Sequence, residues 1–196
     1  TYDADGRQLE HAAPSAIDMS GTPYNEGAAN LNVQLNAAAG LIEITDYYAS
    51  TTATESTPGG VEGYVQFTKV KEGSGGTEIK QSATTYYKRT VGGASSYPTA
   101  QQTVYRDTAA AQPITTSYTY QWYTGQTQVE QQTTLLPIVP LAQNGTGLQE
   151  SQIQVYDSYG QTVWSKDARG YIAYMAYNDL TGALVQQIQD VDMSLM

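Results

Sequence analysis

The reading of the fold turns on Tyr156-Asp157-Ser158-Tyr159-Gly160-Gln161. Tyr2-Asp3-Ala4-Asp5-Gly6-Arg7 has the same order of residue types near the start of the chain. Tyr177-Asn178-Asp179-Leu180-Thr181-Gly182 follows 21 residues after Tyr156, with one extra residue before its glycine. Asp167-Ala168-Arg169-Gly170-Tyr171 lies between these two copies, followed by Tyr174. The physics of such a unit is local. The side chain of an Asp after Tyr accepts a hydrogen bond from the backbone two residues on, which makes an Asx turn. The glycine supplies the positive φ that such a turn needs. A recurrence at a fixed period of about 20 residues is the mark of a repeat architecture.

Outward from this stretch, the apolar residues alternate with period two, as half-buried strands do. Leu31, Val33 and Leu35 alternate, and Leu41-Ile42-Glu43-Ile44 runs into Tyr47-Tyr48. Residues 61–71 alternate through Tyr64, Val65 and Phe67; Glu72-Gly73-Ser74-Gly75-Gly76 then reads as a turn, and residues 77–90 carry Ile79 and Tyr86-Tyr87. Together these predict a long hairpin. A second hairpin is predicted around Thr124-Gly125, with Tyr118, Tyr120 and Trp122 on one face of its first arm and residues 126–136 as its second. Pro137 and Pro140 should end that arm, because proline cannot donate to a strand ladder. Residues 142–147 read as loop and residues 153–156 as strand. A short helix over residues 26–39 is opposed by Asn30, Asn32 and Asn36, and residues 183–190 fit strand or helix. The fold class is therefore all-β, in antiparallel twisted hairpins, with helix expected below about 15% against the usual 30–35%.

The quoted units resemble the YD-repeat (RHS-repeat) family: Tyr-Asp, two variable residues, Gly-Arg, an apolar strand, then Asp-x-x-Gly and a Tyr-x-x-Tyr strand. Residues 154–192 carry this order, with Val163-Trp164 in the strand after Gly160, and Ile172 with Tyr174 in the next. Residues 2–10 carry one short copy. The departures are Gln161 where Arg is usual, and Asn178 with the extra residue in the last copy. The resemblance assigns the repeat turns to Tyr2, Asp3, Gly6, Tyr156, Asp157, Gly160, Asp167, Gly170, Tyr177 and Gly182. It divides the chain into an N-terminal partial repeat over residues 1–19, a β-rich insertion over 20–150 and C-terminal repeats over 151–196. In the family such hairpins spiral into a long curved sheet, a hollow shell or a surface stalk, so the resemblance implies an extracellular or cell-surface location.

Composition narrows the function classes. The chain of 196 residues is 14% charged, with a formal net charge of −10 and nine Lys and Arg in total. The charged fraction is below the usual ~25%, and no basic stripe exists to hold a phosphate backbone, so nucleic acid is a poor partner. No cysteine is present, which removes disulfides, thiolate nucleophiles and Cys-ligated zinc. No apolar run reaches the ~18 residues of a membrane-spanning helix. The chain starts at Thr1 rather than Met, which favours a piece of a longer chain.

The materials for catalysis are poor. His11 is the sole histidine, placed beside Glu10 and before Pro14, and reads as a solvated loop residue rather than a general base. Asp3-x-Asp5-Gly6 opens like a calcium loop, but its twelfth position is Pro14 where such a loop needs Glu, and the repeat turn explains the same residues. Asp190 and Asp192, with Asp179, read as a solvated acidic edge rather than a cation site. Tyr118, Tyr120 and Trp122 form a possible sugar-stacking platform, with cross-strand packing as the plainer reading. Asn144-Gly145-Thr146 is a glycosylation sequon in a loop, with Asn144 as its acceptor.

These readings converge on a structural, non-catalytic segment without a cofactor or metal. Its expected partners are flanking repeats or other copies of itself, joined through open β-edges, and possible glycans. A filament subunit joined end to end by strand addition, or a carbohydrate-binding β module, are the rival expectations.

Overall fold

The structure is a computed structural model that describes residues 1–18 and 34–190. Thirteen strands run through them: β1 (Glu10–Ala12), β2 (Leu41–Tyr47), β3 (Val65–Glu72), β4 (Ile79–Tyr86), β5 (Arg89–Val91), β6 (Ala94–Ser96), β7 (Thr99–Tyr105), β8 (Pro113–Trp122), β9 (Val129–Leu135), β10 (Ser151–Tyr156), β11 (Thr162–Lys166), β12 (Ile172–Tyr177) and β13 (Leu184–Gln189). Among the described residues, helix is confined to two 3₁₀ turns of three residues each, Pro14–Ala16 and Leu141–Gln143. The protein is all-β, as the period-two alternation predicts. The alternation at Leu31 and Val33 lies outside the described residues, as does most of the candidate helix over 26–39. Of residues 183–190, Leu184–Gln189 form strand β13.

The chain forms two compact units. The first takes Thr1–Thr52, Gly60–Thr85 and Thr103–Ile114. In it β1, β2, β3 and β4 pair antiparallel in that order. The predicted hairpin is β3 with β4, in the register Phe67↔Ala83 and Thr68↔Ser82. Strand β2 shows why alternation reads as strand: Ile42 and Ile44 are buried at 0% and 7% exposure, while Leu41 between them and the turn is 45% exposed. Ile42 and Ile44 join Ala16 as the core, with Ala12 and Leu35 packed against it. Burying an Ile side chain is worth roughly 1.5–3 kcal/mol. Gly40 is fixed by this packing. It has φ +87°, and a Cβ there would meet the backbone of Ser15 and Ala16 at 2.2–2.3 Å. Above the core, Lys69 pairs with both Asp46 and Glu78, and Lys71 with Glu10.

The second unit takes Ala53–Gly59, Tyr86–Gln102 and the chain from Thr115 onward. Strands β8 to β13 pair antiparallel in chain order. The predicted hairpin at Thr124-Gly125 joins β8 to β9, and β9 ends at Leu135, two residues before Pro137. Strands β5 and β6 form a small separate hairpin, missed in the sequence, whose turn is Gly92-Gly93 with φ +58° and +83°. Two successive positive φ values are what a two-residue hairpin turn matching the strand twist requires. Directly opposed residues share a face of the sheet, so Gln131, Val155, Trp164, Tyr174 and Ile188 form one row from β9 to β13. No residue of β9 to β13 is fully buried. These strands are held by their ladders and by half-buried cross-strand pairs such as Trp164 with Tyr174, ring centroids 4.7 Å apart.

Candidate functional site

The repeat turns have one local geometry. At Asp3, Oδ1 accepts the backbone N–H groups of Asp5 and Arg7 at 3.0 and 2.8 Å, and the Gly6 N–H closes onto the Asp3 carbonyl at 3.1 Å. At Asp157, Oδ1 accepts those of Tyr159 and Gln161, both at 2.9 Å, with Gly160 closing at 3.0 Å. At Asp167 it accepts those of Arg169 and Tyr171, again at 2.9 Å, with Gly170 closing at 3.0 Å. Gly6, Gly160 and Gly170 have φ +78°, +83° and +93°. Asn178 absorbs its extra residue by accepting from Leu180 and Thr181, and its carbonyl takes the Gly182 N–H at 2.8 Å, with Gly182 at φ +68°. The Gln161 side-chain amide donates to the Gly182 carbonyl at 2.9 Å, which ties the Asp157 and Asn178 turns together.

A further turn of this kind escaped the sequence reading. Asp107 Oδ1 accepts the Ala111 N–H at 2.8 Å, the Ala110 N–H bonds the Asp107 carbonyl at 3.3 Å, and Ala110 has φ +55°. The Asp was the available signal, but Ala occupies the place where glycine would have marked it.

The tyrosines have a use that position alone did not reveal. The hydroxyls of Tyr47, Tyr48, Tyr120, Tyr123 and Tyr177 donate to the backbone carbonyls of Gln8, Thr84, Thr99, Tyr156 and Thr162. A ring that covers the sheet while its hydroxyl satisfies a carbonyl is a task phenylalanine cannot do. This accounts for part of the ratio of 17 Tyr to one Phe. Tyr2 is 69% exposed and bridges to Gln8.

Of the aromatic trio, Tyr120 and Trp122 are neighbours, with ring centroids 5.8 Å apart and planes tilted by 36°. Tyr87 meets Tyr120 edge-on, at 6.3 Å and 85°. These three rings, with Glu55, Lys88 and Arg89, line a cleft of about 120 Å³ in the second unit. Tyr118 lies outside it and donates to Gln102. Burial, then the neighbouring phenols of Tyr118, Tyr156 and Tyr87, push the Tyr120 hydroxyl up to about 12.

Among the described residues, the remaining sites do not assemble into a chemical centre. His11 lies in strand β1 rather than in a loop, exposed, with Nδ1 3.1 Å from Glu43. Arg7 bridges Asp3 and Asp5 at 2.6 and 2.8 Å, so a guanidinium stands where a calcium ion would need to be. Burial raises the Asp3 carboxyl, but the hydrogen bonds and charge of Arg7 outweigh it and hold the group below its ordinary value. Asp192 lies outside the described residues, and among those residues no group of three or more His, Asp and Glu could hold a metal. Asn144 is exposed, in a left-handed conformation with φ +60° after the second 3₁₀ turn. Gly147, at the end of the stretch read as loop, has φ +70°; its N–H closes a turn onto Val139.

No protein-family model and no curated protein matches the chain. Among solved structures, a chain of a mutant Photorhabdus luminescens Tc holotoxin pore is similar, with TM-score 0.43 and 14% identity over 77% of this chain and 7% of that one. The chain thus spans a small part of that neighbour's length. No helix among the described residues is long and apolar enough to cross a membrane.

Proposed function

We propose that this chain is a structural, non-catalytic segment of an extracellular or cell-surface YD-repeat protein, a length of shell, stalk or fibre whose strand edges are covered by neighbouring repeats. The observation that carries the reading is the Asx turn that recurs at Asp3, Asp157 and Asp167 with a glycine at positive φ three residues on. Strand β13 supports it further. All six of its residues are exposed, Leu184, Val185 and Ile188 by 51%, 63% and 42%. Edge strands that stand alone are blunted by Lys, Pro or inward charges; β13 carries Leu-Val-Gln-Gln-Ile-Gln and none of these. The sole histidine is spent on an exposed pair with Glu43, which supports a role without acid–base chemistry.

The same uncharged edge favours a second reading, in which copies of the chain add strand to strand. Such a contact is heterologous, need not close, and gives a filament. Light scattering and negative-stain microscopy of the chain, with and without Val185→Lys, separate the outcomes. Concentration-dependent association abolished by Val185→Lys is expected on both readings, as discrete small oligomers for the first and fibres for the second. A salt-independent monomer whose outward β13 amides are protected from hydrogen exchange would overturn both.

A further inference from the structure

Lys88-Arg89 is the one place in the sequence where two basic residues are adjacent. The fold sets this pair in the cleft with the Tyr87, Tyr120 and Trp122 rings. From this juxtaposition we propose that the cleft is a subsite for an acidic saccharide, one uronate-type pyranose ring of a polyanionic glycan.

The floor suits a sugar. Tyr120 and Trp122 lie side by side with a modest tilt, so together they offer a broad, slightly twisted apolar surface to the C–H face of a pyranose. Tyr87 stands nearly perpendicular to Tyr120 and forms a wall. The Tyr120 hydroxyl is engaged with the Thr99 carbonyl at 2.7 Å, which fixes the ring's position before any ligand arrives. Rigid aromatic surface loses little entropy on binding.

The rim suits a carboxylate. Arg89 is held on three sides, by the Glu55 carboxylate, by the Gln126 carbonyl through Nε at 3.2 Å, and by the Trp122 ring with Cζ 5.6 Å from its centroid. A guanidinium has five N–H donors, and these contacts leave three of them for a ligand. Lys88 has its backbone N–H bonded to the Thr54 carbonyl at 3.0 Å, which fixes its main chain beside the cleft. Among the described residues its ammonium has no acidic partner, unlike those of Lys69 and Lys71. With Glu55 as the one acid, the lining carries net positive charge in a chain of net charge −10. That local inversion favours an anionic ring over a neutral one, because charge-assisted hydrogen bonds are about twice as strong as neutral ones. A bare quaternary ammonium, the other ligand class that aromatic boxes take, would meet two cations here.

The test uses the full chain carrying Trp164→Phe, which leaves Trp122 as its sole indole fluorophore. Oligogalacturonate or oligomannuronate is titrated against it, with maltohexaose as the neutral comparison. The expected result is a saturable change in Trp122 emission with the uronates that weakens with salt and is absent with maltohexaose. Lys88→Gln is expected to weaken binding about tenfold and to flatten the salt dependence. Tyr118→Ala, outside the cleft, should leave affinity unchanged. Calorimetry on Trp122→Ala, with circular dichroism to show that it folds, should find no binding. No saturable signal with either uronate would overturn the proposal. So would equal affinity for maltohexaose, or equal losses in Tyr118→Ala and Lys88→Gln.

Discussion

Asp107 Oδ1 accepts the backbone N–H of Ala111 at 2.8 Å, across a turn whose positive-φ residue is Ala110 rather than glycine. The left-handed conformation brings an L-residue's Cβ too close to the following carbonyl, at about 1–2 kcal/mol. Part of that cost is recovered because alanine restricts the unfolded chain more than glycine does. Ala110→Gly is therefore expected to raise stability by about 0.5–1 kcal/mol, or roughly 1–4 °C in Tm for a chain of this size. Ala109→Gly, whose φ is not positive, is expected to lower it. Thermal melts of both variants read the sign directly, and a lower Tm for Ala110→Gly would contradict the turn.

Gly160 and Gly147 have φ +83° and +70°. A Cβ would meet Gln128 Nε2 at 3.3 Å at the first, and Leu141 Cγ at 3.6 Å at the second. Neither contact is severe, so backbone strain decides the outcome. Valine at either position should cost of the order of 1–3 kcal/mol, with the two losses comparable. Chemical denaturation of Gly160→Val and Gly147→Val measures this; an unperturbed Gly147→Val would show that its loop reorganises freely.

Ile42 is fully buried between Ala16 and Ile44 in the first unit. Ile42→Ala should cost about 2–5 kcal/mol through lost burial and the cavity left behind. Leu41→Ala, one residue away but 45% exposed, should cost far less. Urea midpoints of the pair test whether alternation along β2 is the source of its stability.

The pH response has two arms. Hydrogen bonding to Lys69 holds Glu78 below its ordinary value, and Arg7 outweighs burial to do the same for Asp3. A depressed carboxyl contributes stability above its unfolded value that is lost as pH falls through the folded one. Melting temperature should therefore fall as pH drops below about 4.5, with a shallower slope in Glu78→Gln. Tyr120 is the opposite case. Its folded value of about 12 lies above the ordinary 10.0, so its contribution is complete below pH 10 and is lost as pH rises through 12. Phenolate absorbance should show a late-titrating tyrosine that Tyr120→Phe removes.

The sequence by itself determined the turns at Asp3, Asp157, Asp167 and Asn178, because an Asx turn is closed by groups two to four residues apart and needs nothing from elsewhere in the chain. It determined the β3–β4 and β8–β9 hairpins for the same reason: alternation and turn residues are local signals. Tertiary structure decided the rest. Within residues 183–190, which fit strand or helix alone, Leu184–Gln189 are a strand because Tyr174 and Met175 of β12 offer a ladder opposite Ile188 and Gln187. Ala110 takes a left-handed conformation that its own preference opposes, so the Asp107 turn could not be read from residue types. His11 is a strand residue because β2 pairs with it, Glu43 directly opposite. The aromatic trio was half legible. Tyr120 and Trp122 stand together despite the bulge between Gln121 and Trp122, while Glu55, Tyr87, Lys88 and Arg89 join them from more than thirty residues away. Period and turn chemistry are written in neighbouring residues; a cleft assembled from distant segments exists only once the backbone ladders have brought those segments side by side.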